Sequence, residues 1–231
     1  MELYKFQTVN NNSLNALSEI SLYFARANQM NDPTESMFKL LDYNKNDMYS
    51  PNISDLEQVG ILSMAIGEKS SVLESPFMWA HYGNELKGFC LVFDFDDFLM
   101  GIEDKIEKYG HINYRKYPRL LSGDNLINEC SGLENVAGTN FQRNNLHRIY
   151  DTCFFDKPSG FEHELEYRFL AKNFGLIPYD PKSLRRVIIG EKMVEEDREK
   201  LLTTLNNIGI TCKIKEAKVK INSFKIHVTS E

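Results

Sequence analysis

The run Lys87-Gly88-Phe89-Cys90-Leu91-Val92-Phe93-Asp94-Phe95 constrains this chain more than any other stretch. Its aromatic and β-branched residues suit a pleated sheet surface, and glycine and aspartates bound it, so it is the clearest strand. Val59-Gly60-Ile61-Leu62-Ser63-Met64-Ala65 is short and apolar, as a buried strand is, and Gly67 to Ser71 supplies a polar turn after it. Leu3-Tyr4-Lys5-Phe6 is β-prone, Ile20-Ser21-Leu22-Tyr23-Phe24 alternates, and Ile112-Asn113-Tyr114 is a further strand candidate. Arg186-Val187-Ile188-Ile189-Gly190 is a β run closed by glycine.

Helices fall between these runs. One over Ser13 to Ser18 carries Leu14 and Leu17 three apart and takes Ser13 as its cap; others are expected around Ser36 to Leu41 and, as a short turn, over Phe77 to Tyr82. Glu195-Glu196-Asp197 loads the first turn of a helix in which Leu201, Leu202 and Leu205 make one apolar face. With Ile210-Thr211-Cys212-Lys213-Ile214 returning as a strand, residues 184–231 form a β-α-β-like part. Leu120 to Asn145 reads as weak helix and loop. The expected fold is α+β: a single domain over residues 1–231 with a mixed, mostly antiparallel sheet flanked by helices.

The 231 residues, 42% hydrophobic and 26% charged, are enough to bury a real core. Lys and Arg number 27 against 33 Asp and Glu, so the net charge of −6 gives no global pull toward nucleic acid or an anionic membrane, leaving only local basic surface. Met1-Glu2-Leu3-Tyr4-Lys5-Phe6 lacks the basic and apolar regions of a secretory signal, and no apolar run approaches the roughly 20 residues of a membrane helix. A cytoplasmic protein with no membrane partner is expected. Cys90, Cys130, Cys153 and Cys212 are too dispersed for a clustered zinc site or a redox dithiol, and the five histidines show no metal-ligand spacing. There is no Gly-x-x-x-x-Gly-Lys-Ser/Thr, Gly-x-Ser-x-Gly, His-Glu-x-x-His or Gly-x-Gly-x-x-Gly, which disfavours Walker NTPases, serine esterases and zincins.

Two segments could carry chemistry. In Glu164-Leu165-Glu166-Tyr167-Arg168, strand periodicity puts both carboxylates and the guanidinium on one face. Burying such a row is costly unless it is paired or used; Arg168 would lower a carboxylate pKa and apolar cover would raise it, so acid/base work is chemically open. A solvent-facing strand would show the same letters. In Phe77-Met78-Trp79-Ala80-His81-Tyr82-Gly83 the only tryptophan stands two residues from a histidine, a platform on which a nicotinamide or nucleobase could stack, with His81 able to move a proton near neutral pH. An aromatic core with a bonded histidine would read alike. Asn31-Asp32-Pro33-Thr34-Glu35 is a turn and helix cap whose Asn31 could also position a ligand, and Lys5 could face a phosphate or water.

Taken in order, Leu3-Tyr4-Lys5-Phe6, Asn31-Asp32-Pro33-Thr34-Glu35, Trp79-Ala80-His81-Tyr82-Gly83 with Gly88-Phe89-Cys90-Leu91-Val92-Phe93, Glu164-Leu165-Glu166-Tyr167-Arg168 and Ile188-Ile189-Gly190 resemble domain-of-unknown-function family 2971. That resemblance implies bacterial mobile-element or phage-defence cargo. A more distant similarity to ADP-ribosyltransferases implies their fold and an effector or toxin that transfers ADP-ribose from NAD to a macromolecular acceptor, nucleic acid or protein. Under it Glu166 is the catalytic carboxylate, Glu164 and Arg168 support it, and Tyr4, Lys5, Asn31, Trp79, His81 and Tyr82 contact NAD, with an antitoxin or regulator as a further partner. Two other readings stay open: the same carboxylates hold Mg²⁺ in a nuclease, or Trp79 and Tyr82 form the recognition patch of a non-enzymatic sensor whose Glu-Arg row is structural.

Overall fold

The computed structural model describes residues 1–30, 40–41, 58–117, 121–122 and 154–229. Its centre is a strand, β5 (Phe89–Asp94), in which Phe89, Cys90, Leu91, Val92 and Phe93 are all buried, as an apolar run with no polar alternation requires. Around it an eight-stranded sheet is ordered β14 (Ile226–Val228), β13 (Lys213–Val219), β12 (Leu184–Gly190), β5, β1 (Glu2–Gln7), β4 (Gly60–Ile66), β10 (Glu166–Ala171) and β6 (Ile106–His111). Every neighbouring pair is antiparallel except β12 with β13, which a helix, α5 (Glu195–Asn207), connects as a parallel β-α-β crossover. The expected α+β architecture with a mixed, mostly antiparallel sheet is thus present.

Helices cover both faces. Phe89, Leu91 and Phe93 pack with Leu17 of α1 (Asn11–Ser18), Phe98 and Ile102 of α4 (Phe95–Ile102), and Leu201 and Leu205 of α5. Cys90 and Val92 look the other way, toward Val72 of α2 (Lys69–Val72) and Met78 and Trp79 of α3 (Pro76–His81). Short pairs lie outside the main sheet: β2 (Ser21–Phe24) with β11 (Gly175–Pro178), β3 (Leu40–Leu41) with β8 (Leu121–Ser122), and β7 (Asn113–Arg115) with β9 (Asp156–Pro158). Gly190 is required by proximity, since a Cβ there would collide with the Leu86 carbonyl. No helix among the described residues is long and apolar enough to cross a membrane.

Several boundaries differ from those read in the sequence. The cap of α1 is Asn10, with Ser13 at the third helical position completing a capping box, so the helix begins earlier. The strand expected over Lys87 to Phe95 stops at Asp94, whose carboxylate accepts the backbone N–H groups of Asp96 and Asp97 and thereby starts α4. Ile210 to Cys212 lead into β13 rather than belonging to it. Leu40–Leu41 is extended rather than helical; the rest of the Ser36 to Leu41 helix, the Asn31 to Glu35 turn and nearly all of Leu120 to Asn145 lie outside the described residues.

One irregularity makes room for a site. β1 pairs with β5 along its whole length but with β4 only at Leu3↔Ile66 and Tyr4↔Ala65. Beyond Tyr4 the two strands part, and further along β4 the Ile61 backbone exchanges hydrogen bonds with Ala25, just past β2. The sheet therefore splits beside its middle.

Candidate functional site

A cleft of about 1230 Å³ occupies that split. Tyr4 to Gln7 of β1, Thr8 after it and the polar face of α1 form one wall, Ile61, Ser63 and Ala65 the floor, and His81, Tyr82, Lys157, Phe161, Glu164 and Glu166 the other wall. A shallower hollow of about 430 Å³ beside α1 and α5, around Leu14, Glu196 and Lys200, brings together no comparable set of groups.

The acidic wall is built by local backbone geometry. Ser159–Glu164 is a 3-10 turn, and Leu165 then adopts a left-handed conformation, φ 49, before β10 begins at Glu166. That conformation is costly for a leucine. Its effect is to bring the Glu164 and Glu166 carboxylates to one ammonium. Glu164 is therefore not part of a strand row with Glu166, as alternation alone suggested. The strand is not solvent-facing either, because Glu166 through Ala171 are all buried between β4 and β6.

That ammonium belongs to Lys157, on β9, which donates to Glu164 Oε2 at 2.6 Å and to Glu166 Oε2 at 3.1 Å. Arg168 Nε donates to Glu166 Oε1 at 2.5 Å, its Nη1 donates to the Phe154 carbonyl at 2.8 Å, and the Tyr82 hydroxyl donates to Glu164 Oε1 at 2.5 Å. All four carboxylate oxygens thus accept a bond. Lys157, Glu164, Glu166 and Arg168 are 7%, 4%, 6% and 1% exposed, so the three ion pairs among them sit where water screens little and a missing partner would be expensive. Tyr114 supports the strand end, its hydroxyl accepting the Glu166 backbone N–H at 2.9 Å.

The electrostatics follow from these contacts. Burial alone would raise the Glu166 carboxyl, but the Arg168 charge and bond, with Lys157 and the Ser63 hydroxyl, prevail and lower it from 4.5 to about 2. Glu166 is therefore an anion throughout the physiological range and cannot act as a general acid. Across the floor, the Lys5 ammonium donates to the Ser63 carbonyl at 2.8 Å. Burial lowers it from 10.5 to about 8, the Glu166 charge opposing the fall. Tyr4 is buried with its hydroxyl on Glu2, which Arg186 also holds; burial pushes this phenol up, so it stays protonated.

Of the residues singled out in the sequence, Tyr4, Lys5, His81, Tyr82, Glu164 and Glu166 line one cleft, and Arg168 backs its acidic wall. Trp79 is elsewhere. It is 1% exposed, donates its indole N–H to the Leu73 carbonyl and meets Phe6 edge to face, so it braces α3 against β1 instead of facing a ligand. Asn31 lies outside the described residues. Lys157, Tyr114 and Ser63 were not singled out; the one signal for Lys157 is indirect, since two buried carboxylates with a single arginine demand a second cation.

Residues 78–169 match the family model described as Protein of unknown function (DUF2971). Over these residues the chain is similar to family 2971. The match covers less than half of the chain, yet it contains Tyr82, Lys157 and the whole acidic wall, whereas the opposite wall with Lys5 and the floor with Ser63 lie before it. Neither the curated proteins nor the solved structures give a match.

Proposed function

We propose that this chain is an effector enzyme that transfers ADP-ribose from NAD to a macromolecular acceptor. The observation that carries the reading is the convergence, in one cleft, of a carboxylate held ionised (Glu166), a desolvated cation (Lys5) and the rings of Tyr82 and His81. In such a transfer the bond between nicotinamide and the ribose C1 breaks, neutral nicotinamide leaves, and positive charge develops on the sugar before the acceptor nucleophile bonds to C1 and gives up its proton to water. A fixed anion beside the sugar stabilises that charge without reorganising. A carboxylate has about four acceptor positions, so Glu166 can accept a ribose hydroxyl while keeping Arg168 and Lys157. Lys5 suits the pyrophosphate, and Tyr82 and His81 suit the nicotinamide ring. The volume suits a dinucleotide, being somewhat above the roughly 300–1,000 Å³ typical of drug-sized ligands. Cys90 and Cys212 are free thiols, which fits a cytoplasmic setting, and a bacterial toxin or phage-defence role fits the family resemblance.

The metal-dependent nuclease reading is less well supported, because Mg²⁺ would have to compete with Lys157 at both carboxylates. The test is incubation of the protein with NAD labelled in its adenylate part, with and without bacterial lysate, following nicotinamide release and label retained on macromolecules. We expect both to depend on Glu166 and to vanish in Glu166→Gln. Folded wild-type protein that releases no nicotinamide and labels no acceptor overturns the proposal, as does cleavage of nucleic acid that requires Mg²⁺ and Glu166.

A further inference from the structure

The two most exposed large apolar side chains among the described residues share one place, the turn between β13 and β14. Phe224 is 99% exposed, Ile221 85% and Val219 50%. The turn is held rather than loose: Lys220 N–H donates to the Lys225 carbonyl at 3.0 Å and Ser223 N–H to the Lys220 carbonyl at 3.2 Å. Its base is anchored, with Ala217, Ile226 and Val228 in the core and the Ile226 N–H bonded to the Glu74 carbonyl. A hydrogen-bonded hairpin turn thus presents two bare apolar side chains, Ile221 and Phe224.

Around that tip the charge is reversed relative to the chain. Residues 213–225 hold Lys213, Lys215, Lys218, Lys220 and Lys225 against Glu216 alone, in a protein whose net charge is −6. Lys218 pairs with Glu216 and Lys225 lies 3.8 Å from Glu74, while Lys213, Lys215 and Lys220 have no carboxylate partner among the described residues. We infer that the β13–β14 hairpin docks on an anionic membrane surface, with Ile221 and Phe224 entering the headgroup boundary and the lysines meeting lipid phosphates. Side chains standing this far out in water need a pocket in a protein partner but none in a fluid bilayer, and a nucleic acid would engage the lysines and Phe224 but leave Ile221 in water. This surface is independent of the cleft.

Vesicle flotation tests it, using phosphatidylcholine alone and phosphatidylcholine with phosphatidylserine in equal amounts. We expect the protein to float with the anionic vesicles only, less so in high salt, and the Ile221→Ser/Phe224→Ser variant to bind at least about tenfold more weakly, the transfer of two apolar side chains being removed. Lys213→Glu/Lys220→Glu should lose the salt-sensitive part. These positions are exposed, so matching circular dichroism spectra will confirm folding. No flotation, equal flotation with neutral vesicles, an unaffected serine variant, or capture by polyuridylate that depends on the same residues overturns the inference.

Discussion

Replacing Lys157 by methionine keeps most of the unbranched side chain and removes the charge that two buried carboxylates share. In the native protein the Lys157, Glu164, Glu166 and Arg168 charges cancel within one network, with Lys157 at 2.6 and 3.1 Å from the two carboxylates. Lys157→Met leaves two anions facing one guanidinium, and Glu164 keeps the Tyr82 hydroxyl. Removing one partner of a buried pair costs about 3–5 kcal/mol, out of the roughly 5–15 kcal/mol of a typical domain. For a chain of this size that is a fall in Tm of about 6–20 °C. Urea unfolding followed by far-UV circular dichroism measures it. Two controls give the reasoning its edge: Lys157→Met/Glu164→Gln restores neutrality and should recover much of the loss, and acidification should narrow the gap between Lys157→Met and wild type as one carboxylate takes a proton. If Lys157→Met stays within about 0.5 kcal/mol of wild type, or the double variant is no better than the single one, the network does not carry the stability assigned to it.

Three further outcomes are expected. The Glu166 carboxyl is lowered on folding from 4.5 to about 2, so its stabilising contribution is complete above pH 4.5 and lost as pH falls toward 2; the stability gap between wild type and Glu166→Gln should close over that window in urea titrations. Lys5 loses its proton near pH 8, so, on the proposed function, ADP-ribose binding measured by calorimetry should weaken from pH 7 to 9 in wild type and show no such slope in Lys5→Met. Trp79→Ala should cost about 3–5 kcal/mol, as truncation of a buried aromatic does, and native Trp79 emission should resist acrylamide quenching; easy quenching would place the indole outside the core.

The central strands were legible because their letters admit little else: Phe89 to Phe93 and Val187 to Ile189 are apolar and bounded by glycine or aspartate, and both are fully buried. α4 was hidden because Phe95 prolongs an aromatic run, and only the Asp94 side chain, by capping, breaks it. β6 was hidden for another reason. Its Ile106 to His111 carries two charges and a glycine and shows weak apolar periodicity, and it becomes a strand through its pairing with β10. In the site, Glu166 and Arg168 are two apart on one strand, and local spacing suffices to join them. Lys157 is brought to Glu164 by the 3-10 turn Ser159–Glu164, and the left-handed Leu165 adds Glu166 to the same ammonium, which no periodicity records. Trp79 attracts notice by residue type, but whether an indole faces a ligand or the interior depends on what packs over it, here Phe6.

The place of β1 in the sheet also sets an order of events. Its pairing Glu2↔Asp94 closes a loop of about ninety residues, and β10, which carries Glu166, is translated only after both of those strands. Contacts of such sequence separation form slowly. During synthesis the Lys5 wall is translated first and its facing carboxylates last, so a chain halted before Arg168 holds an unpaired apolar strand and no completed cleft. The cleft is therefore complete only once translation has passed its second wall.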